Sequence, residues 1–146
     1  MIDNLLDIIL VESNPSDVDF ALESLEEHNL ANRLKVLRDG KEALDYIFRQ
    51  GEYRDSGISD HPVLILLDVK LPKVDGLEIL RSIRGDERTK RIPVVLITGT
   101  SSEAQKAEGY NLGVNSYIIK PIEFDKFAKA ISQIGLYWAM LNEPPL

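Results

Sequence analysis

The chain has 146 residues, a net charge of −7 from 24 acidic and 17 basic side chains, and no cysteine. A chain of this length forms one domain that buries enough surface to fold without a disulfide or metal staple. The absent cysteines exclude disulfides, thiolate catalysis and Cys-ligated zinc, and His28 and His61 are too few for a histidine metal centre. The acidic balance also argues against nucleic-acid binding, which needs clustered Lys and Arg. Arg81, Arg84, Arg88, Lys90 and Arg91 are interrupted by Asp86 and Glu87, so they read as a solvated helix end and loop. No apolar run approaches the ~18 residues of a membrane helix, and the acidic start MIDNLLD is unlike a signal peptide. A cytoplasmic location with no membrane partner is therefore expected.

Along the chain, Ile8–Val11 is a short run of Ile, Leu and Val, as expected of a strand covered on both faces. Asn14 followed by Pro15 marks an N-cap and a first helical residue. Val18, Ala21, Leu22 and Leu25 then recur at helical spacing. Leu34–Leu37 alternates and carries Lys35, which predicts an edge strand. Ala43, Leu44, Ile47 and Phe48 form a second helical stripe, and Gly51–Pro62 reads as a long polar connection. Val63–Leu67 is another buried run, followed by the stripe Ile79, Leu80 and Ile83, and then by the run Val94–Ile97. Ser101–Leu112 is a weaker helix, with small Ala104 and Ala107 on its apolar side. Tyr117–Ile119 is the last run, and Phe124, Phe127, Ala128, Ile131 and Ile134 are the last stripe.

Strand and helix alternate five times. That pattern predicts an α/β fold: a five-stranded, doubly wound parallel sheet with helices on both faces and right-handed crossovers. One domain is expected over residues 1–146, with a core at about 7–134 and an extension at 135–146.

Each buried run stops at a polar residue suited to phosphate chemistry: Glu12 and Ser13, then Asp68, then Thr98, then Lys120. In open α/β sheets ligands bind beyond the carboxyl ends of the strands, where the strand order reverses. With the flavodoxin-like order 2-1-3-4-5, Glu12 and Asp68 face each other at that point. Two carboxylates about 4 Å apart repel by roughly 4 kcal/mol at an effective dielectric of 20, and a magnesium ion would relieve this. Asp68 is then a candidate nucleophile forming an aspartyl-phosphate, with Lys120 and Thr98 contacting the phosphoryl oxygens. Taken singly, each has a plainer reading: Asp68 as a turn residue, Lys120 as a solvated lysine, Thr98 as a strand residue, Glu12 as a cap.

The segments IILVESNPSD, LILLDVKLPKVDGLEIL, VVLITGTSS and YIIKPIEF resemble, in order, the blocks of two-component response-regulator receiver domains. The resemblance runs from about Asp7 to Ile134. It implies that Asp68 is the phospho-acceptor, Thr98 and Tyr117 the switch residues, and Lys120 the phosphate-pairing lysine before a cis proline. It also implies a metal held by Glu12, Asp68 and the backbone carbonyl of Lys70. One position departs from the pattern, because Ser13 stands where a second acid is usual. Its neutral hydroxyl makes it a weak or lost ligand, which is expected to weaken magnesium binding. The Lys70 ammonium is a second cation near the site, expected to stand in partly for the metal. The tail Gly135–Leu146 and the long Gly51–Pro62 loop resemble the small stand-alone regulators partnered with phytochrome-type histidine kinases. In that subfamily the extension contributes to a homodimer, which would place Tyr137, Trp138 and Leu141 at an interface. The same aromatics could instead finish the packing of the last helix.

The expected function is phosphoryl acceptance on Asp68 from a histidine kinase, relayed to a downstream protein in a two-component phosphorelay. The chain is thus expected to be no enzyme. The alternative is a degenerate receiver, its metal site broken at Ser13, that acts as a constitutive interaction or dimerisation module. A phosphatase using Asp68 ranks lower, since Lys70 stands where such enzymes carry an acid. Flavin binding also ranks lower, since no phosphate-cradling loop follows the first strand.

Overall fold

The computed structural model describes residues 7–27, 34–57, 63–100, 102, 113–114 and 116–133. The elements in order are β1 (Asp7–Val11), α1 (Pro15–Glu26), β2 (Leu34–Leu37), α2 (Gly40–Ile47), β3 (Val63–Asp68), α3 (Gly76–Arg84), β4 (Val94–Thr98), β5 (Ser116–Ile119) and α4 (Phe124–Gln133). All strand pairs are parallel, as the alternation of runs and stripes predicts, and the sheet order β2-β1-β3-β4-β5 is the flavodoxin-like one.

Strand side chains alternate between faces with a period of two, and the core divides accordingly. Ile8, Leu10, Leu64, Leu66, Val95, Ile97 and Ile118 pack with Ala21 and Leu25 of α1 and with Phe127 and Ala130 of α4. Ile9, Val11, Ile65, Leu67, Val94 and Leu96 pack with Ala43 and Ile47 of α2 and with Ile79, Leu80 and Ile83 of α3. Central strands covered on both faces have no reason to alternate polar and apolar residues, which is why they read as uninterrupted runs.

Three helices begin on side-chain caps. Asn14 Oδ1 accepts from the backbone N–H of Ser16 at 2.9 Å and of Asp17 at 3.1 Å. Asp39 caps α2 through Glu42 N–H at 2.8 Å, and Asp75 caps α3 through Glu78 N–H at 3.1 Å. Such a cap contributes typically ~1 kcal/mol. Asn14→Ala is accordingly expected to lower stability by about 1 kcal/mol, read as a lower urea midpoint with an unchanged slope. An unchanged midpoint would mean that water caps α1 equally well.

Four expectations are corrected. The run Tyr117–Ile119 is not buried on both faces: β5 is the outer strand beside β4, so Tyr117 is half-buried and Ile119 is 36% exposed. In α4 it is Ala130, not Ala128, that is fully buried beside Phe127. Arg84 is not solvated, because its guanidinium donates to the carbonyls of Gly113, Lys90 and Ile92 at 2.7–3.2 Å. It ties the end of α3 to the chain entering β4 and β5. The connection after α2 also holds an apolar anchor. The Tyr53 ring meets Tyr46 edge-on at 5.1 Å, and its hydroxyl donates to Glu42 Oε2 at 2.9 Å.

The side chain of Ile131 lies outside the described residues. So do Ile134, the candidate interface residues Tyr137, Trp138 and Leu141, and Ser101–Leu112 apart from Ser102.

Candidate functional site

The period-two alternation sorts the polar residues at the strand ends. Glu12 continues the parity of Ile8 and Leu10, Asp68 that of Leu64 and Leu66, and Lys120 that of Ile118, so all three fall on the face covered by α1 and α4. There the Lys120 ammonium donates to Asp68 Oδ2 at 2.8 Å and to Asp17 Oδ2 at 2.9 Å, and it lies 3.0 Å from Glu12 Oε1. Asp68 Oδ1 accepts from the backbone N–H of Lys70 at 3.1 Å, and Glu12 Oε2 from that of Asn14 at 3.0 Å. Asp17 is the residue that sequence reasoning missed. In the first turn of α1 it reads as a dipole-matching acid, and only its position one turn beyond a strand end hints at more.

Thr98 has the parity of Val94 and Leu96 and so belongs to the opposite face, where Tyr117 packs against the α2–α3 cluster. The Thr98 hydroxyl is fully buried and makes no hydrogen bond to any described residue. A buried hydroxyl without a partner costs about 1–3 kcal/mol, so a cluster of acceptor oxygens arriving on the neighbouring strand would relieve it. Asp68 is on that strand, paired in register with Ile97.

The electrostatics are unbalanced. Glu12 is fully buried and Asp68 is 3% exposed. Burial, reinforced by the hydrogen bond and charge of Asp68, pushes the Glu12 carboxyl up to about 7. Burial alone would lower Lys120, but its hydrogen bonds to Asp68 and Asp17 and its charge contact with Glu12 outweigh this and hold the ammonium protonated well above its ordinary range. The directed bonds of Lys120 go to Asp17 and Asp68, so Glu12 Oε1 has a charge contact and no hydrogen bond. Three carboxylates thus share one ammonium.

In front of them opens a cavity of about 260 Å³ lined by Glu12, Ser13, Asn14, Asp68, Lys70, Gly99 and Lys120. Among the described residues no three acidic or histidine side chains form a ready-made metal cage. Magnesium does not need one, since it commonly takes one or two carboxylates and keeps several waters. The buried Glu12 oxygen without a hydrogen bond, beside Asp68 and at the cavity wall, suits such an ion.

The chain matches the response regulator receiver domain over residues 8–132. It belongs to that family. A solved bacteriophytochrome response regulator, AtBRR, is 47% identical, with 95% of this chain and 99% of that one covered at a TM-score of 0.86. The response regulator Rcp1 of Synechocystis is 37% identical over 131 residues, covering 90% of this chain and 87% of Rcp1. A structure of Rcp1 holds bound Mn²⁺ and superposes at a TM-score of 0.72, with 34% identity over 97% of this chain and 99% of that one. The cyanobacterial phytochrome response regulator RcpA, solved in phosphorylated form, is 37% identical over 90% of this chain and 91% of its own, with a TM-score of 0.70. The present receiver also shares the cis peptide bond between Lys120 and Pro121 that the resemblance implies. No helix among its described residues is long and apolar enough to cross a membrane.

Proposed function

We propose that this receiver accepts a phosphoryl group on Asp68 from the phosphohistidine of a histidine kinase and passes the signal on by protein–protein contact. The observation that carries this reading is the meeting of Asp68, Glu12 and Lys120 at the mouth of one cavity, with the ammonium 2.8 Å from the acceptor carboxylate. A carboxylate oxygen of Asp68 attacks phosphorus as the bond from phosphorus to the kinase imidazole nitrogen breaks. The imidazole leaves with the bonding pair, and an acyl phosphate remains. Lys120 would pair with the incoming phosphoryl oxygens, and the Thr98 hydroxyl, which has no hydrogen bond among the described residues, would donate to one of them.

Glu12, Asp68 and the Lys70 carbonyl, with a weak contribution from the Ser13 hydroxyl, would hold a magnesium ion. That ion would neutralise charge between carboxylate and phosphoryl. Movement of Thr98 and Tyr117 toward the phosphoryl group would then bias the surface around β5 and α4 between two states. The similarity to AtBRR, Rcp1 and RcpA supports a kinase of the phytochrome type. It is also consistent with a homodimer that uses Tyr137, Trp138 and Leu141, and with a cytoplasmic protein that signals without processing a separate substrate.

The test is intact-protein mass spectrometry after incubation with acetyl phosphate and Mg²⁺. A single phosphoryl adduct is expected on the parent and none on Asp68→Asn. An adduct that survives in Asp68→Asn would move the acceptor elsewhere, and no adduct on the parent would leave only the fold in common with phosphorylated receivers.

A further inference from the structure

We propose that Asp17, projecting from helix α1, is a working acid of the phospho-acceptor site, supplying the charge that Ser13 at the end of β1 does not. The inference rests on the phosphorylation reading and adds a residue to it. Asp17 Oδ2, Asp68 Oδ2 and Glu12 Oε1 all lie within 3.0 Å of the same nitrogen, that of Lys120. The three carboxylates are therefore held closer than charge alone would allow, and one ammonium neutralises only one of them. With all three ionised the remaining charge is −2, the complement of a divalent cation, and a cation beside Glu12 would favour that ionised state.

A second, independent observation also points to a cation. The Glu12 side chain is fully buried, borders the cavity and keeps one oxygen without a hydrogen bond. Ser13 borders the same cavity with a neutral hydroxyl. The third charge comes instead from one turn into α1. There Asn14 Oδ1 fixes the Asp17 backbone N–H at 3.1 Å, and the Asp17 side chain is about one-third exposed.

That exposure sets its role. Asp17 is a positioning residue: it holds Lys120 beside Asp68 and would add its charge from the outer shell, while Glu12 and Asp68 would be the direct carboxylates. This agrees with the lack of a three-acid cage among the described residues. A plainer role is available, since an acid in the first turn also complements the helix dipole. The dipole role would change folding stability in the absence of metal and leave cation affinity alone.

Calorimetric titration of Mg²⁺ into the unphosphorylated protein separates the two. Asp17→Asn is expected to weaken Mg²⁺ binding about 10–100-fold, the usual cost of losing an outer-shell partner. Adding Ser13→Asp to that variant is expected to restore most of the loss. Circular dichroism confirms that each variant is folded. Equal Mg²⁺ affinity in Asp17→Asn and the parent would overturn the proposal, and so would a parent that binds no Mg²⁺ while Ser13→Asp does. No phosphodonor is present, so these outcomes are independent of the adduct experiment, which tests the phosphorylation reading alone.

Discussion

Replacing Gly76 by alanine is expected to destabilise the protein by about 3 kcal/mol or more, at the upper end of overpacking costs. Gly76 is the first residue of α3, and its N–H donates to the Val69 carbonyl at 2.9 Å. A Cβ there would overlap the carbonyl oxygen of Asp68 and come within 2.8 Å of Val69 Cα. Both obstacles are backbone, so no rotamer change relieves them, and either α3 or the end of β3 has to move. Gly40, at the start of α2, repeats the construction against the carbonyl of Val74, and its N–H donates to Pro72 O at 3.1 Å. The connection from Val69 to Asp75 is thus held between two helix starts that only glycine permits. Urea denaturation of Gly76→Ala reads the effect. A midpoint within error of the parent would show that the helix start shifts freely, and that the acceptor's backbone is less tightly held than the contacts indicate.

The elements most legible in the sequence were those whose physics is local. Ile8–Val11, Val63–Leu67 and Val94–Ile97 announce themselves because burial on both faces leaves no polar alternation, and Asn14–Pro15 because a cap and a fixed φ act within a few residues. Glu12, Asp68 and Lys120 could be singled out together because each follows an apolar run, and the strand order then brings the ends to one rim. What the sequence concealed depends on partners distant along the chain. Asp17 meets Lys120 across 103 positions, and nothing in PSDVDF separates it from an ordinary first-turn acid. Arg84 looks like any helix-end arginine until the carbonyl of Gly113 arrives, 29 residues away. Ile119 has the composition of a core residue and is exposed because its strand is the outermost. Tyr53 sat in a segment whose polar residues suggested a loop, and its anchoring depends on Tyr46 and Glu42 of the preceding helix.

Lys120→Met should lower stability by about 3 kcal/mol near pH 8, and by clearly less near pH 5. Removing one partner of a buried ion pair typically costs about 3–5 kcal/mol, and the low end applies because Asp17 is partly exposed. The pH dependence follows from Glu12. Its carboxyl is raised from 4.5 to about 7 in the folded protein, so the folded state holds that proton more tightly than the unfolded chain does. This contribution to stability is fully present below about 4.5 and is lost as pH rises through about 7. Without the ammonium, Glu12, Asp17 and Asp68 face one another with no cation between them. Lys70 borders the same cavity and is unchanged in the variant. The Glu12 carboxyl is then driven higher still, and the loss extends further above neutrality. In acid, protonation of Glu12 does part of what the ammonium did, and the variant approaches the parent. Urea titrations of both proteins at the two pH values decide the matter. A deficit of the same size at both would mean that Lys120 stabilises the fold by packing its stem across the ends of β1 and β3 rather than by its charge.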